Sequence, residues 1–211
     1  MRKFITLAAL SALLVFTVDA AAKDKLPPVL KVGAKAPQFV LKDLNGKEVS
    51  LEKVLEQKKI VVLEWFNPGC PYVKKHHARN TTMKDLAAKY KDKVVWLAIN
   101  SSSKGKQGYG VELNKKSKKD WKIAYPILLD SDGKVGRKYG ARRTPHMYVI
   151  TPDGLLAYVG AIDNNNSGKT AGEINYVNDA ITAILAGKAP ETKRTKSYGC
   201  GVKYGKRHAN K

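Results

Sequence analysis

Apolar positions in this chain fall into short dense runs, separated by polar, lysine-rich stretches. The runs "KKIVVLEWF" (Lys58–Phe66) and "KVVWLAINS" (Lys93–Ser101) show little alternation. A strand covered on both faces has no side to expose to water, so both runs predict buried strands. "AYPILLD" (Ala124–Asp130) predicts a third. Upstream, "APQFVLKDLNGKEVSL" (Ala36–Leu51) predicts two short strands joined by a turn at Asn45-Gly46. Downstream, Pro145–Ile162 predicts a hairpin turning at Pro152-Asp153-Gly154. Helices are expected from Pro71 to about Tyr90, within Gly110–Trp121, over Lys134–Gly140, and from Thr170 to about Leu185, where Gly187 ends the last one. Strands and helices in this order predict an α/β fold, a central mixed β-sheet flanked by helices. No internal repeat interrupts the pattern.

The two ends differ from the middle. Met1-Arg2-Lys3 precedes an apolar run to about Val18, and Val18-Asp19-Ala20 offers small residues at a cleavage site. This predicts a secretory signal peptide over residues 1–20, with an uncleaved N-terminal anchor as the alternative. The apolar run is shorter than the ~20 residues a membrane-spanning helix needs. The expected mature protein is therefore exported, to a periplasm or the exterior. Residues 21–187 read as one domain, and residues 188–211 as a basic tail that contains Cys200.

Charge widens the list of partners without choosing one. The formal net charge is +21 over 211 residues. Such a field favours an anionic surface or an acidic partner. No zinc-finger spacing, basic heptad region or aromatic RNA-binding signature is present, so no specific nucleic-acid motif supports the field. "NNNSGKT" (Asn164–Thr170) ends like a phosphate loop but has Asp163 where the first glycine belongs. Thr170 or Ser167 instead suits the cap of the last helix. Asn80-Thr81-Thr82 and Asn165-Asn166-Ser167 are glycosylation sequons, relevant only in a eukaryotic source.

Candidate chemistry centres on the two cysteines. Cys70, in "LEWFNPGCPYVKKHH", sits where a buried strand gives way to a helix. Pro71 suits the first helical position, which makes Cys70 the expected N-cap. The helix dipole, free backbone N–H groups, and Lys74 and Lys75 would then favour its thiolate, the nucleophilic form. Cys200, in "SYGCGVKYG", is flanked by glycines and expected to be accessible. It could resolve an oxidised Cys70, form a permanent staple with it, or pair between molecules. His76 and His77 are expected at the surface. His146 could approach Cys70, but two ligands are too few for a closed metal site.

"WFNPGCPYVKKH", "YGARRTPHMYVITPDGLLAYVGAID" and "VGAKAPQFVLKDLNGKEVSL" together resemble the thioredoxin-like superfamily. The best fit is its redoxin branch, the alkyl hydroperoxide reductase and thiol-specific antioxidant group of peroxiredoxin-like proteins. The resemblance covers about Val32 to Ala186. It implies a thioredoxin-like fold and a thiol-dependent oxidoreductase acting on a peroxide or a disulfide. An external thiol, such as a thioredoxin-like protein, would be the reductant, and no cofactor or metal is required. Cys70 matches the second cysteine of the thioredoxin pair or the peroxidatic cysteine of a peroxiredoxin. Asn67 falls where thioredoxin has its first cysteine, Pro145 matches the cis proline, and Arg143 or Arg142 the arginine beside the thiolate. Two departures stand out. There is no Cys-x-x-Cys, and Leu63 and Asn67 replace the proline and hydroxyl residue of the usual peroxiredoxin loop. Asn67 could hydrogen-bond peroxide or the thiolate in their place. The rival reading is a binding module that docks through its basic surface, with Cys70–Cys200 as a structural disulfide.

Overall fold

The computed structural model describes residues 30–206. The expected signal peptide at residues 1–20 lies outside the described residues. The strands are β1 (Val40–Asp43), β2 (Glu48–Ser50), β3 (Ile60–Trp65), β4 (Val94–Asn100), β5 (Ile127–Leu129), β6 (Arg143–Thr144), β7 (Met147–Ile150), β8 (Leu156–Gly160) and β9 (Cys200–Gly201). The helices are α1 (Leu51–Leu55), α2 (Pro71–Lys74), α3 (Thr82–Lys89), α4 (Val111–Asp120), α5 (Lys134–Tyr139) and α6 (Tyr176–Leu185).

Seven strands form one mixed sheet in the order β2-β1-β5-β4-β3-β7-β8. The central β3, β4 and β5 run parallel, and β7 lies antiparallel to β3. Every residue of β3 is buried, as a strand covered on both faces requires. On one face Val62 and Ala98 pack with Val73, Met83 and Leu86 of the α2–α3 segment and with Val177 and Ile181 of α6. On the other face Val61, Leu63 and Ile99 pack with Leu51 and Val54 of α1 and with Val135 and Tyr139 of α5. The mixed sheet between helices is the expected fold.

Three elements differ from expectation. Leu51 opens α1 rather than closing a strand, because Leu51 and Val54, three apart, bury one helical face. The single helix expected over Pro71–Tyr90 is broken. A π-helical turn, Lys75–Arg79, follows α2, and Asn80 is extended before α3 begins. Asn80 N–H and Asn80 Nδ2 both donate to Lys75 O at 2.9 Å, which closes the π-helical turn. The last helix starts at Tyr176 rather than Thr170. Its cap is Asn175, whose side chain accepts from Asn178 N–H, while Thr170 Oγ1 receives Asn165 Nδ2.

Candidate active site: two cysteines joined by the tail

Cys70 is placed by the end of β3. Trp65 N–H donates to His146 O and Phe66 N–H to Ile99 O, which ties the exit of β3 to β7 and β4. The turn that follows is braced by Asn67, which is buried. Its Oδ1 accepts Gly69 N–H at 2.8 Å, and its Nδ2 donates to Gln107 O at 3.0 Å and Ser102 Oγ at 3.3 Å. Asn67 thus spends both polar ends on the loop, and those bonds do not run to Cys70.

Cys70 is the N-cap of α2 with Pro71 at the first turn, as the sequence predicts. Its sulfur does not take the expected helix N–H bonds, because no side-chain cap bond forms. The extended backbone at Cys70 sends the side chain across to Thr144, whose carbonyl lies 2.9 Å from Sγ. Lys75 is not available to the sulfur either, since it is fully buried and 3.5 Å from Asp163.

The tail brings Cys200 up to Cys70. The tail returns over the site as β9, antiparallel to β6, with Thr144 opposite Cys200 and Arg143 opposite Gly201. Directly opposed residues place their side chains on the same face. The Cys200 thiol lies close enough to Cys70 for the two to influence each other, and both thiols are free. Burial and the adjacent Cys70 push the Cys200 thiol up to about 11, while Lys203 and Arg143 pull the other way. Gly199 makes the approach possible. Its φ is +109°, and a Cβ there would lie 2.2 Å from Thr144 O. The Thr144–Pro145 bond is cis, as the resemblance implies. Arg143 is exposed on β6, beside Cys200. Cys70 is fully buried and Cys200 only partly so. Thr144 Oγ1 is buried with no hydrogen-bond partner among the described residues.

The tail is held on both sides of Cys200. Thr195 Oγ1 meets Tyr158 OH at 2.6 Å and accepts Ala161 N–H at 2.9 Å. Tyr204 OH donates to Ala141 O at 2.9 Å, and Ser103 N–H to Lys203 O at 2.9 Å. Tyr198 OH donates to Asp163 Oδ1 at 2.5 Å, lies 2.8 Å from His76 Nε2, and accepts from Lys75 Nζ at 3.2 Å.

His76 and His77 are buried, which corrects the expectation of a surface position. The π-helical turn directs Lys75, His76 and His77 inward together, toward two carboxylates that need partners. His76 joins Asp163 and Tyr198, and burial holds its pKa down at about 4. His77 Nε2 lies 2.7 Å from Glu64 Oε1, while Glu64 Oε2 accepts from Trp96 Nε1 at 3.2 Å and Tyr125 OH at 3.0 Å. The sequence held one signal for this second network: Glu64 is the sole charged residue inside an otherwise apolar strand. His146 lies behind the cis proline, where burial, with Arg194 and Arg142, lowers its pKa to about 3. It is therefore neutral. No cluster of three or more metal-ligating residues occurs among the described residues.

A family model described as Redoxin matches residues 31–177. The chain belongs to the Redoxin family. It is 26% identical over 127 residues to "Thiol-disulfide oxidoreductase ResA" of Bacillus thuringiensis, covering 60% of this chain and 68% of that protein. A structure of an uncharacterised conserved protein from Geobacillus kaustophilus superposes with a TM-score of 0.73 at 26% identity, over 84% of this redoxin and 94% of that chain. A hypothetical protein from Sinorhizobium meliloti shares the fold with a TM-score of 0.77 at 24% identity, over 84% and 97%. Within this redoxin the described geometry brings Cys70, Cys200, Pro145 and Arg143 together. Asn67 stands one turn away, as a brace of the loop.

Proposed function

We propose that Cys70 and Cys200 form the exchanging pair of this thiol-dependent oxidoreductase. The protein would cycle between a dithiol and an internal disulfide while a partner disulfide is reduced or a partner dithiol oxidised. The observation that supports this reading is the β6–β9 register, which sets Cys200 opposite Thr144, the residue whose carbonyl lies 2.9 Å from Cys70 Sγ. A loop with one cysteine cannot form a disulfide within itself, and the tail supplies the second sulfur. The relative named as a thiol–disulfide oxidoreductase supports the same class of reaction. An exported location fits the N-terminal segment, and no helix among the described residues is long and apolar enough to cross a membrane.

Disulfide exchange is favoured over peroxide reduction. The loop has no hydroxyl residue at position 67, and the amide of Asn67 is committed to Gly69, Ser102 and Gln107. Peroxide remains the alternative oxidant, in which Cys70 becomes a sulfenic acid and Cys200 resolves it. The test is oxidation of the reduced protein with oxidised glutathione or with hydrogen peroxide, read by intact mass. The reading expects loss of two hydrogens in the wild type and none in Cys200→Ser. Faster reaction with glutathione disulfide than with peroxide would set the order of the two oxidants. An unchanged mass with both reagents would refute the pair.

A further inference from the structure

Beside the tail strand lies an open cleft of about 560 Å³. Arg143, Asn164, Asn166, Tyr176, Lys196 and Gly199 line it. Arg143 and Gly199 precede Thr144 and Cys200 in the chain, so the cleft lies next to the redox site, although neither cysteine lines it. Arg143 and Lys196 are both exposed at its rim. Asp163 also reaches the wall, but Lys75 at 3.5 Å and the Tyr198 hydroxyl offset its charge. The polar lining, two rim cations with no ion-pair partner among the described residues, and one aromatic wall together fit a small organic anion. Of the two sulfurs, only Cys200 has surface to offer, because Cys70 is fully buried beneath the tail.

We propose that this cleft receives a carboxylate-bearing low-molecular-weight thiol, which exchanges with the internal disulfide at Cys200 and not at Cys70. The inference rests on Cys70 and Cys200 being the exchanging pair. The incoming thiolate attacks Cys200 Sγ. The Cys70–Cys200 bond breaks, and Cys70 departs as thiolate and takes up a proton. A second molecule of the thiol attacks the sulfur of the first in the mixed disulfide. It releases Cys200, which is protonated, and a small disulfide. Two thiols are oxidised and one protein disulfide is reduced.

The experiment measures reduction of the oxidised full-length protein by 3-mercaptopropionate, 2-mercaptoethanol and cysteamine, with rates expressed per thiolate. Two cations at the rim are expected to favour the anionic over the cationic thiol by roughly tenfold. The Arg143→Gln/Lys196→Gln variant should lose most of that ratio. Lys119→Gln/Lys122→Gln, with the same change in charge on the surface beside Leu44, should keep it. An equal drop in both variants would assign the preference to the general field of the protein and overturn the inference. In parallel, Cys70→Ser and Cys200→Ser are treated with oxidised glutathione. Faster glutathionylation of Cys200 than of Cys70 is expected, and the reverse order would also overturn it. Failure of the wild type to form any internal disulfide would instead refute the exchanging pair itself.

Discussion

Thr144→Val separates what the hydroxyl of Thr144 does for stability from what it does for chemistry. Thr144 is 1% exposed, and its Oγ1 has no hydrogen-bond partner among the described residues. A buried polar group left in that state costs about 1–3 kcal/mol. Valine keeps the β-branched shape that suits a strand and replaces the hydroxyl with a methyl group. The variant should therefore be more stable than wild type, by about 1 kcal/mol or more. That corresponds to a rise in melting temperature of roughly 2–4 °C per kcal/mol in a domain of this size.

Exchange should move the other way. The Thr144 carbonyl, 2.9 Å from Cys70 Sγ, can accept from a thiol but repels a thiolate. Each exchange step generates thiolate at this pair. The register sets the Thr144 side chain on the same face as Cys200, so its unpaired hydroxyl would be a donor to charge that develops there. A hydrogen bond to a charged group is worth about 1.5–3 kcal/mol, so its loss should slow exchange by about ten- to a hundredfold. The assay pairs calorimetry of the reduced protein with stopped-flow reduction of the oxidised protein, and Thr144→Ser should restore much of the rate. A Thr144→Val protein that is less stable and equally fast would refute both halves of the argument.

Three further outcomes follow from the buried polar groups. Tyr198→Phe removes the hydroxyl shared by Asp163, His76 and Lys75, and should cost roughly 1–3 kcal/mol. Hydrogen exchange at Val202 N–H, which donates to Arg142 O, should speed up as the tail loosens, and unchanged protection would refute the tail's dependence on Tyr198. Glu64→Gln leaves His77, Trp96 and Tyr125 facing a neutral amide, and a loss of about 3 kcal/mol in urea unfolding is expected; a neutral substitution would mean the network is uncharged. His146 is held at about pKa 3 when folded, against ~6.5 in an unfolded chain. Below about pH 6.5 the unfolded chain takes up a proton that the folded one refuses. Stability should therefore fall by about 1.4 kcal/mol per pH unit on this account alone. His76, at about 4, acts in the same direction. Asp130, raised to about 6 by burial, opposes them, because its stabilising contribution grows as pH falls from about 6 toward 4. His146→Gln should flatten the urea midpoint between pH 6 and 5, and an unaltered slope would refute the assignment.

The sheet was legible because β3, β4 and β5 are covered on both faces, and a two-sided strand writes itself as an unbroken apolar run. Cys70 at the head of α2 was legible for an equally local reason, since proline after cysteine marks a first helical turn. The break after Lys75 was not. A π-helical turn saves no apolar positions that a regular helix would lose, so Val73, Met83 and Leu86 fit either reading. His76 and His77 misled because two histidines beside two lysines look like a solvated face. Their burial depends on Asp163, far along the chain, and on Glu64 in β3. The tail was the hardest segment, because a glycine-flanked cysteine among lysines reads as an exposed end. Gly199 is required for the opposite reason, close approach to Thr144 O.

On the proposed pairing, the tail's docking and the redox balance of the site are one quantity. Two cysteines in a short loop are held together by the covalent ring they close. Cys200 is brought to Cys70 by non-covalent anchors at Thr195, Tyr198 and Tyr204. Its effective concentration at Cys70 is then set by how completely those anchors are made in the dithiol state. Weakening one lowers that concentration and makes the disulfide easier to reduce, with no change to either sulfur. Tyr198 is the anchor closest in sequence to Cys200, and it is seated on groups that are themselves buried and charged. A chain that carries its second thiol on a tail thereby sets its reduction potential through packing and hydrogen bonds, where a Cys-x-x-Cys loop does so through ring geometry.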